Sequence, residues 1–261
     1  MTILDKIVQH KFGEVDIAKK NTPLSVLKDM SGFSRECYSL KESFEDTSRN
    51  GIIAEFKRAS PSKGLINGKS SVAEVVSAYQ SVGVSAVSVL TDTPFFQGSL
   101  QDLTSAREVL QIPLLRKDFI VDPYQIIEAK AYGADIILLI AAYLEENQLA
   151  EYAAEAHEIG LSVLLEVHNE KELEKSLHPH VSAIGVNNRN LKDFTVCLET
   201  SYGLVNKIPD KYIKVSESGI SEPKTITELR SKGFQGFLIG ESFMKQEQPA
   251  EAIADFVQHI S

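Results

Sequence analysis

Glu55 and Lys57 stand two residues apart in the run IIAEFKRASPSKG, so in an extended strand both point to one face. Lys117 closes LLRKDF, and Glu166 lies in LLEVHN. Asn187 and Arg189 belong to IGVNNRN, and Glu217, Ser218 and Gly219 to KVSESGIS. Glu55, Lys57 and Glu166 sit inside apolar runs, before any turn residue begins. An isolated charge buried there costs several kcal/mol, so these groups must pair. Lysines interleaved with glutamates can do so, at roughly 4 kcal/mol per contact at 4 Å and an effective dielectric near 20. Charges gathered that closely shift one another's pKa and make proton donors and acceptors available near neutral pH. The chemistry that suits them is general acid–base catalysis. That strands simply turn polar where loops begin explains any one of these residues, but not the collection.

A second group sits near the C-terminus. Ser218–Gly219 and Gly240–Glu241–Ser242 follow apolar runs and offer backbone N–H donors with little side chain in the way. In α/β barrels, phosphate sites commonly use the last two loops in this way. The alternative is that Gly219 and Gly240 only make turns. A Glu241 carboxylate turned inward would repel a dianion, so either its side chain points away and leaves only its N–H, or the phosphate reading weakens.

These residues need elements to hold them. Eight short apolar runs predict strands at Ile52–Lys57, Ala86–Leu90, Leu114–Arg116, Asp135–Ile140, Ser162–Val167, Ala183–Val186, Tyr212–Ser216 and Gly236–Ile239. Between them the apolar residues recur at three and four, predicting helices over Val72–Ser81, Gln101–Leu110, Tyr124–Tyr132, Glu145–Ile159, Lys171–Leu177 and Lys224–Ser231. Continuous apolar strands belong to parallel sheets covered by helices. Gly83, Gly133, Gly160 and Gly233 follow helical patterns, where a left-handed glycine ends a helix. Pro123 and Pro223 stand at helix starts. The count and size are those of an α/β protein of the (β/α)8 TIM-barrel type, whose strand ends converge on one catalytic mouth. The competitor is a doubly wound open sheet, but no GxGxxG follows the first strand. Residues 1–50 lie outside the repeat. Ile3–Val8, Val15–Lys20 and Leu24–Met30 read as helical and Phe33–Lys41 as ambiguous; this N-terminal helical extension is either a lid over one end or extra surface packing.

The chain has 261 residues, 27 Lys+Arg against 36 Asp+Glu, and a formal net charge of −9. The acidic balance argues against nucleic acid as a partner. Cys37 and Cys197 have no metal or redox spacing, which fits a reducing compartment. The longest apolar run, Ala134–Leu144, is short of the roughly 20 residues a membrane span needs, so no membrane partner is expected. The N-terminus lacks a secretory pattern. His178 and His180 flank Pro179 in a turn and read as surface residues, leaving no metal-ligand cluster. A soluble cytoplasmic protein is expected.

Taken in order, IIAEFKRASPSKG, SVLTDTPFFQGS, LLRKDFIVDPYQI, LLEVHN, IGVNNRNL, SESGIS and FLIGESFM resemble the indole-3-glycerol phosphate synthase family of tryptophan biosynthesis over nearly the whole chain. The resemblance implies a single domain over 1–261, with the extension helping to cover the mouth. It implies a stand-alone form and a monomer. It implies the small-molecule phosphosugar–anthranilate substrate 1-(2-carboxyphenylamino)-1-deoxyribulose 5-phosphate, and no metal or other cofactor. It makes Lys117 the general acid for ring closure and pairs Lys57 with the anthranilate carboxylate. It makes Glu166 the acid for dehydration, with Glu55 as its partner, while Asn187 and Glu217 position hydroxyls and lysines. It places the phosphate against Ser60, Ser218, Gly219, Gly240 and the Glu241 N–H. Pro61, Phe96 and Leu191 form an apolar slot for the ring, and Arg189 supports the anthranilate end or the active-site loop. Glu241 stands where relatives often carry a small polar residue, and Asn190 where they often carry Asp. The loop Ser60–Ser70 is long for a βα connection. It is expected to fold over the substrate, with Lys63 meeting an acidic partner on another loop or the anion itself.

Overall fold

Every expected strand forms in the computed structural model, which describes residues 2–260; Met1 and Ser261, the ends of the expected 1–261 domain, lie outside the described residues. The strands are β1 (Ile52–Phe56), β2 (Ala86–Leu90), β3 (Leu114–Lys117), β4 (Ile136–Ile140), β5 (Ser162–Val167), β6 (Ala183–Asn187), β7 (Ile213–Glu217) and β8 (Gly236–Ile239). All neighbours are parallel, and β1 pairs with both β2 and β8, through Ile53 opposite Ala86 and Leu238. That closure makes a barrel and excludes the open sheet.

Alternation along each strand decides what the barrel holds. Ile52, Ala54 and Phe56 face outward and pack with helix residues such as Val72, Val75 and Val76. Ile53, Ala86, Leu115, Leu164, Val215 and Leu238 fill the interior. A side-chain period of two then sets Glu55, Lys117, Glu166 and Glu217 one step above Ile53, Leu115, Leu164 and Val215, at the C-terminal mouth. The same register puts Asn187 above Gly185 and Gly240 above Leu238.

Most expected helices form within a residue or two of their bounds, as in Val72–Ser81, Leu100–Val109 and Pro223–Lys232. Gly83, Gly133, Gly160 and Gly233 take positive φ, as helix ends require. Several helices were not foreseen, among them two with weak local signals. Glu199–Leu204 carries Gly203 and little apolar surface, and Pro249–Gln258 follows the polar run QEQ.

The N-terminal extension differs most from its pattern. Ile3–Val8 and Val15–Lys20 are parts of one helix, α1 (Ile3–Asn21), whose start is closed by a reciprocal cap between Thr2 and Asp5. Its buried stripe is Leu4, Ile7, Lys11 and Val15. Leu4 and Ile7, with Ile3, roof the mouth. Lys11 is only 5% exposed and is neutralised by Asp92 at 2.8 Å and Asp118 at 2.9 Å. The ambiguous stretch resolves into a turn at Ser31–Ser34, extended chain, and a helix at Leu40–Glu45. Leu40 enters the interior cluster at the opposite end, and the Ser43 hydroxyl donates to the Ser85 carbonyl beside β2. The extension is therefore both a lid and a plug.

Candidate active site

Five charged side chains meet at the mouth because strand alternation leaves them no other direction. Lys117 Nζ lies 2.7 Å from Glu217 Oε2 and 3.3 Å from Glu166 Oε2. Lys57 Nζ lies 2.9 Å from Glu55 Oε1. Two glycines make room for the carboxylates. A Cβ at Gly185 would stand 2.1 Å from Glu217 Oε1, and one at Gly240 would stand 2.6 Å from Glu55 Oε1. Glu217 Oε1 is buried and has no hydrogen-bond partner, which leaves an acceptor open at the floor of the cleft.

The environment divides these groups. Burial disfavours the Lys117 charge, but Glu217, Glu166 and Glu55 outweigh it and hold the ammonium well above the ordinary lysine range. Burial likewise opposes the Glu166 charge. Lys117, His168 and a hydrogen bond from Asn187 overcome that and keep the carboxylate well below its usual range. Glu217 goes the other way: burial, aided by the Glu166 and Glu55 charges and only partly offset by Lys117, raises it to about 7. Two carboxyls on either side of one ammonium thus differ in proton affinity, the arrangement expected where one group must accept a proton and another carry it.

One cleft is lined by Glu55, Lys57, Lys117, Glu166, Asn187 and Glu217, and also by Ser60, Pro61, Phe96, Arg189, Leu191 and Ser218. Phe96 and Phe119 lie with ring centroids 6.0 Å apart, forming an apolar wall. Gly219, Gly240 and Lys63 line an adjoining cleft that shares Glu55, Lys57, Arg189, Ser218 and Glu241 with the first. The structure thus gathers every residue singled out from sequence. Ser218 has φ 67° and Gly219 φ 81°. For serine that backbone is rare and strained, as at sites where a loop is held for function. Asn187 organises the corner, its Oδ1 accepting the Ser218 hydroxyl at 2.9 Å and the Arg189 N–H at 3.0 Å.

Glu241 departs from expectation. Its side chain does not turn away but lines the cleft, with Arg189 at 3.5 Å and Lys63 at 3.9 Å. Two cations from two other loops meet its charge and offset part of the repulsion that an inward carboxylate exerts on an anion. Sequence reasoning passed over Phe119, His168 and the roof residues Ile3, Leu4 and Ile7. Phe119 and His168 each stand two positions beyond a chemistry residue and were open to the alternation argument. Nothing in the local pattern tied α1 to the mouth.

A profile of the indole-3-glycerol phosphate synthase family matches residues 4–256. The chain belongs to this family. It is 45% identical over 258 residues to the indole-3-glycerol phosphate synthase of Bacteroides thetaiotaomicron, covering 99% of this chain and 98% of the relative. It is 44% identical to that of Verminephrobacter eiseniae, covering 97% of each. Among solved structures, a tryptophan synthase complex chain from Pyrococcus furiosus superposes with a TM-score of 0.60 at 15% identity, covering 82% of this chain and 98% of that one. The 3-hexulose-6-phosphate synthase of Salmonella typhimurium gives 0.60 at 13% identity, covering 80% and 98%. Those two likenesses concern the fold alone. Indole-3-glycerol phosphate synthase membership rests on the sequence match, which spans α1 and all eight strands.

Proposed function

We propose that the protein converts 1-(2-carboxyphenylamino)-1-deoxyribulose 5-phosphate to indole-3-glycerol phosphate, CO2 and water in tryptophan biosynthesis. Family membership supports the reaction, and one observation carries the mechanism: Lys117 Nζ stands between the Glu166 and Glu217 carboxylates at the floor of a cleft with an apolar wall. The aromatic carbon bearing the carboxylate attacks the ketose carbonyl, and Lys117 protonates the carbonyl oxygen as the new C–C bond forms. The nitrogen lone pair stabilises the cationic ring. Loss of CO2 returns the C–C bonding pair to the ring and restores aromaticity. The hydroxyl then leaves as water with an added proton, while a base removes one from the adjacent methylene. Each turnover consumes one proton, which returns to Lys117 from solvent.

Glu166, expected from the resemblance as the acid for dehydration, is ionised in the free site. In this reading it acts first as the base that takes the methylene proton. The Lys57–Glu55 pair meets the substrate carboxylate and supplies the proton for the departing hydroxyl. Asn187 and Glu217 position the sugar hydroxyls and Lys117. Ser60, Ser218, Gly219, Gly240 and the Glu241 N–H receive the phosphate, with Lys63 and Arg189 supplying positive charge beside it. The ring lies between Phe96, Pro61 and Leu191, where burial and ring geometry favour a planar group. We extend the proposal to a single-domain monomer in the cytoplasm; among the described residues no helix is long and apolar enough to cross a membrane.

The test is turnover of the carboxyphenylamino-deoxyribulose phosphate by pure protein in EDTA, followed by indole fluorescence. Product formation is expected. Binding without turnover would mark a phosphosugar-binding barrel, and neither would end the reading.

A further inference from the structure

His168 stands two residues beyond Glu166, just past the end of β5, so strand alternation directs it toward the same mouth. Its Nε2 lies 3.3 Å from Glu166 Oε1, an ion-pair contact out of hydrogen-bond alignment, and its Nδ1 lies 3.1 Å from Glu172 Oε2. Glu172 is itself immobilised. Its Oε2 also accepts the His168 backbone N–H at 2.8 Å, and its Oε1 accepts the Asn169 amide at 2.7 Å. Asn169 caps the helix Glu170–Ser176 by accepting the Glu172 N–H at 3.0 Å. A capped helix therefore holds Glu172, Glu172 holds the imidazole, and the imidazole faces the Glu166 oxygen that Lys117 leaves free. The side chain of His168 is 12% exposed, so water screens little of this.

We infer that His168 is a positioning residue that, as an imidazolium anchored on Glu172, keeps Glu166 ionised and aimed into the cleft, so that Glu166 begins the reaction as a base. The inference rests on the ring-closure reading above. Its physical logic is occupancy of both oxygens: Oε2 faces Lys117 and Oε1 faces His168, so no proton binds Glu166 without displacing a cation. Burial opposes the imidazolium, but Glu166 and Glu172 overcome it and raise the His168 pKa to about 10. The charges around Glu166 are His168 on its own segment, Lys117 on β3 and Glu217 on β7, with Glu55 and Lys57 across the mouth. Asp5 of α1 and Arg189 share the groove beside His168. Of the cations, Lys117 and His168 are the ones in contact with Glu166, and Lys117 must give up its proton during ring closure. At that moment His168 is the cation still in contact with Glu166, and it keeps the carboxylate ionised until the methylene proton is removed.

The test compares kcat/KM–pH profiles of the wild-type enzyme, H168N, H168K and E172Q. H168N removes the cation, and Glu166 then titrates closer to an ordinary glutamate. Its acidic limb is expected to move up toward the ordinary glutamate pKa of about 4.3, with kcat/KM several-fold lower at about pH 4 and little change at pH 8.5. H168K restores a cation and is expected to bring the limb back. E172Q lets the His168 pKa fall toward its ordinary value of about 6.5, so the imidazolium survives at acidic pH and the acidic limb is expected to stay with wild type, with little change at pH 8.5, where Glu166 is ionised without help. An H168N limb that superimposes on wild type, a uniform loss at every pH, or an E172Q limb that moves with that of H168N would overturn the inference, and an H168K limb at the wild-type position decides the matter if H168N fails to fold. Absence of wild-type turnover would instead overturn the ring-closure reading, so the two failures are distinguishable.

Discussion

The barrel buries charge at both ends and treats it in opposite ways. At the N-terminal end Asp135, fully buried, gives each carboxylate oxygen two partners. Oδ1 meets Arg35 at 2.7 Å and the Tyr38 N–H at 2.8 Å; Oδ2 meets Arg107 at 2.7 Å and the Leu114 N–H at 2.8 Å. Arg35 also donates to the Gly133 and Ala134 carbonyls, and Arg107 lies over the Tyr38 ring at 4.8 Å. At the mouth Glu217 Oε1 has no hydrogen-bond partner, and the Glu217 carboxyl is raised to about 7. Charge that is fully paired holds the extension to the barrel. Charge left partly unpaired beside a cleft has capacity for a ligand. Burial alone does not separate the two, since Asp135 and Glu217 are both nearly inaccessible; the count of partners does.

Substitutions at the two ends should therefore fail in different ways. Replacing Lys117 with Met should lower kcat/KM by about a thousandfold, within the range of general acid–base catalysis, and shift Tm by only a few degrees, because the Glu217 carboxyl, already raised to about 7, takes a proton and Glu166 keeps His168 as its partner. Steady-state assay and calorimetry on one preparation decide this; a large Tm loss with activity retained would erase the contrast. At the other end, Asp135→Asn leaves a buried site without its charge and strands two half-buried guanidinium groups, and should cost about 3 kcal/mol. That is a Tm drop of about 10 °C with kcat/KM of the folded protein within about twofold. Denaturant melts followed by assay below the transition would reveal any catalytic role.

Gly185→Ala sharpens the picture at the mouth. Its φ needs no glycine, but its Cβ would press on Glu217 Oε1, so Glu217 must leave Lys117 and kcat should fall about 10- to 100-fold, the penalty of a misplacement near 1 Å. A variant with unchanged kcat would show that Glu217 does not need that place. The smallest effect concerns pH. His168 has a folded pKa raised to about 10 from 6.5, so its stabilisation is full below pH 6.5 and lost as pH rises through 10. The Tm of His168→Asn should trail wild type by a few degrees at pH 6 and meet it near pH 10; a constant gap across that range would mean that packing, not charge, is what the ring contributes.

Much of the fold was legible because periodicity is local. Each strand and most barrel helices follow from apolar spacing over a few residues, with glycines such as Gly83 and Gly133 ending helices where only positive φ serves. The site was legible for the same reason: Glu55, Lys117, Glu166 and Glu217 interrupt apolar runs at the register that faces the mouth. The lid was legible only through the family resemblance, since Ile3, Leu4 and Ile7 carry no local mark of what they cover, and the direction of the Glu241 carboxylate was not legible at all, because it depends on Lys63 and Arg189 from loops more than 50 residues away.

Residue order thus settled the parallel strands, the identity of the chemical groups and the face they share, because alternation and turn preference act between near neighbours. Which carboxylate is ionised, which oxygen lacks a partner and which buried charge serves stability came only with closure of the barrel. Those properties arise from desolvation and from charges a few ångströms away in space, such as Lys117 and Glu217 at 2.7 Å across 100 residues of chain.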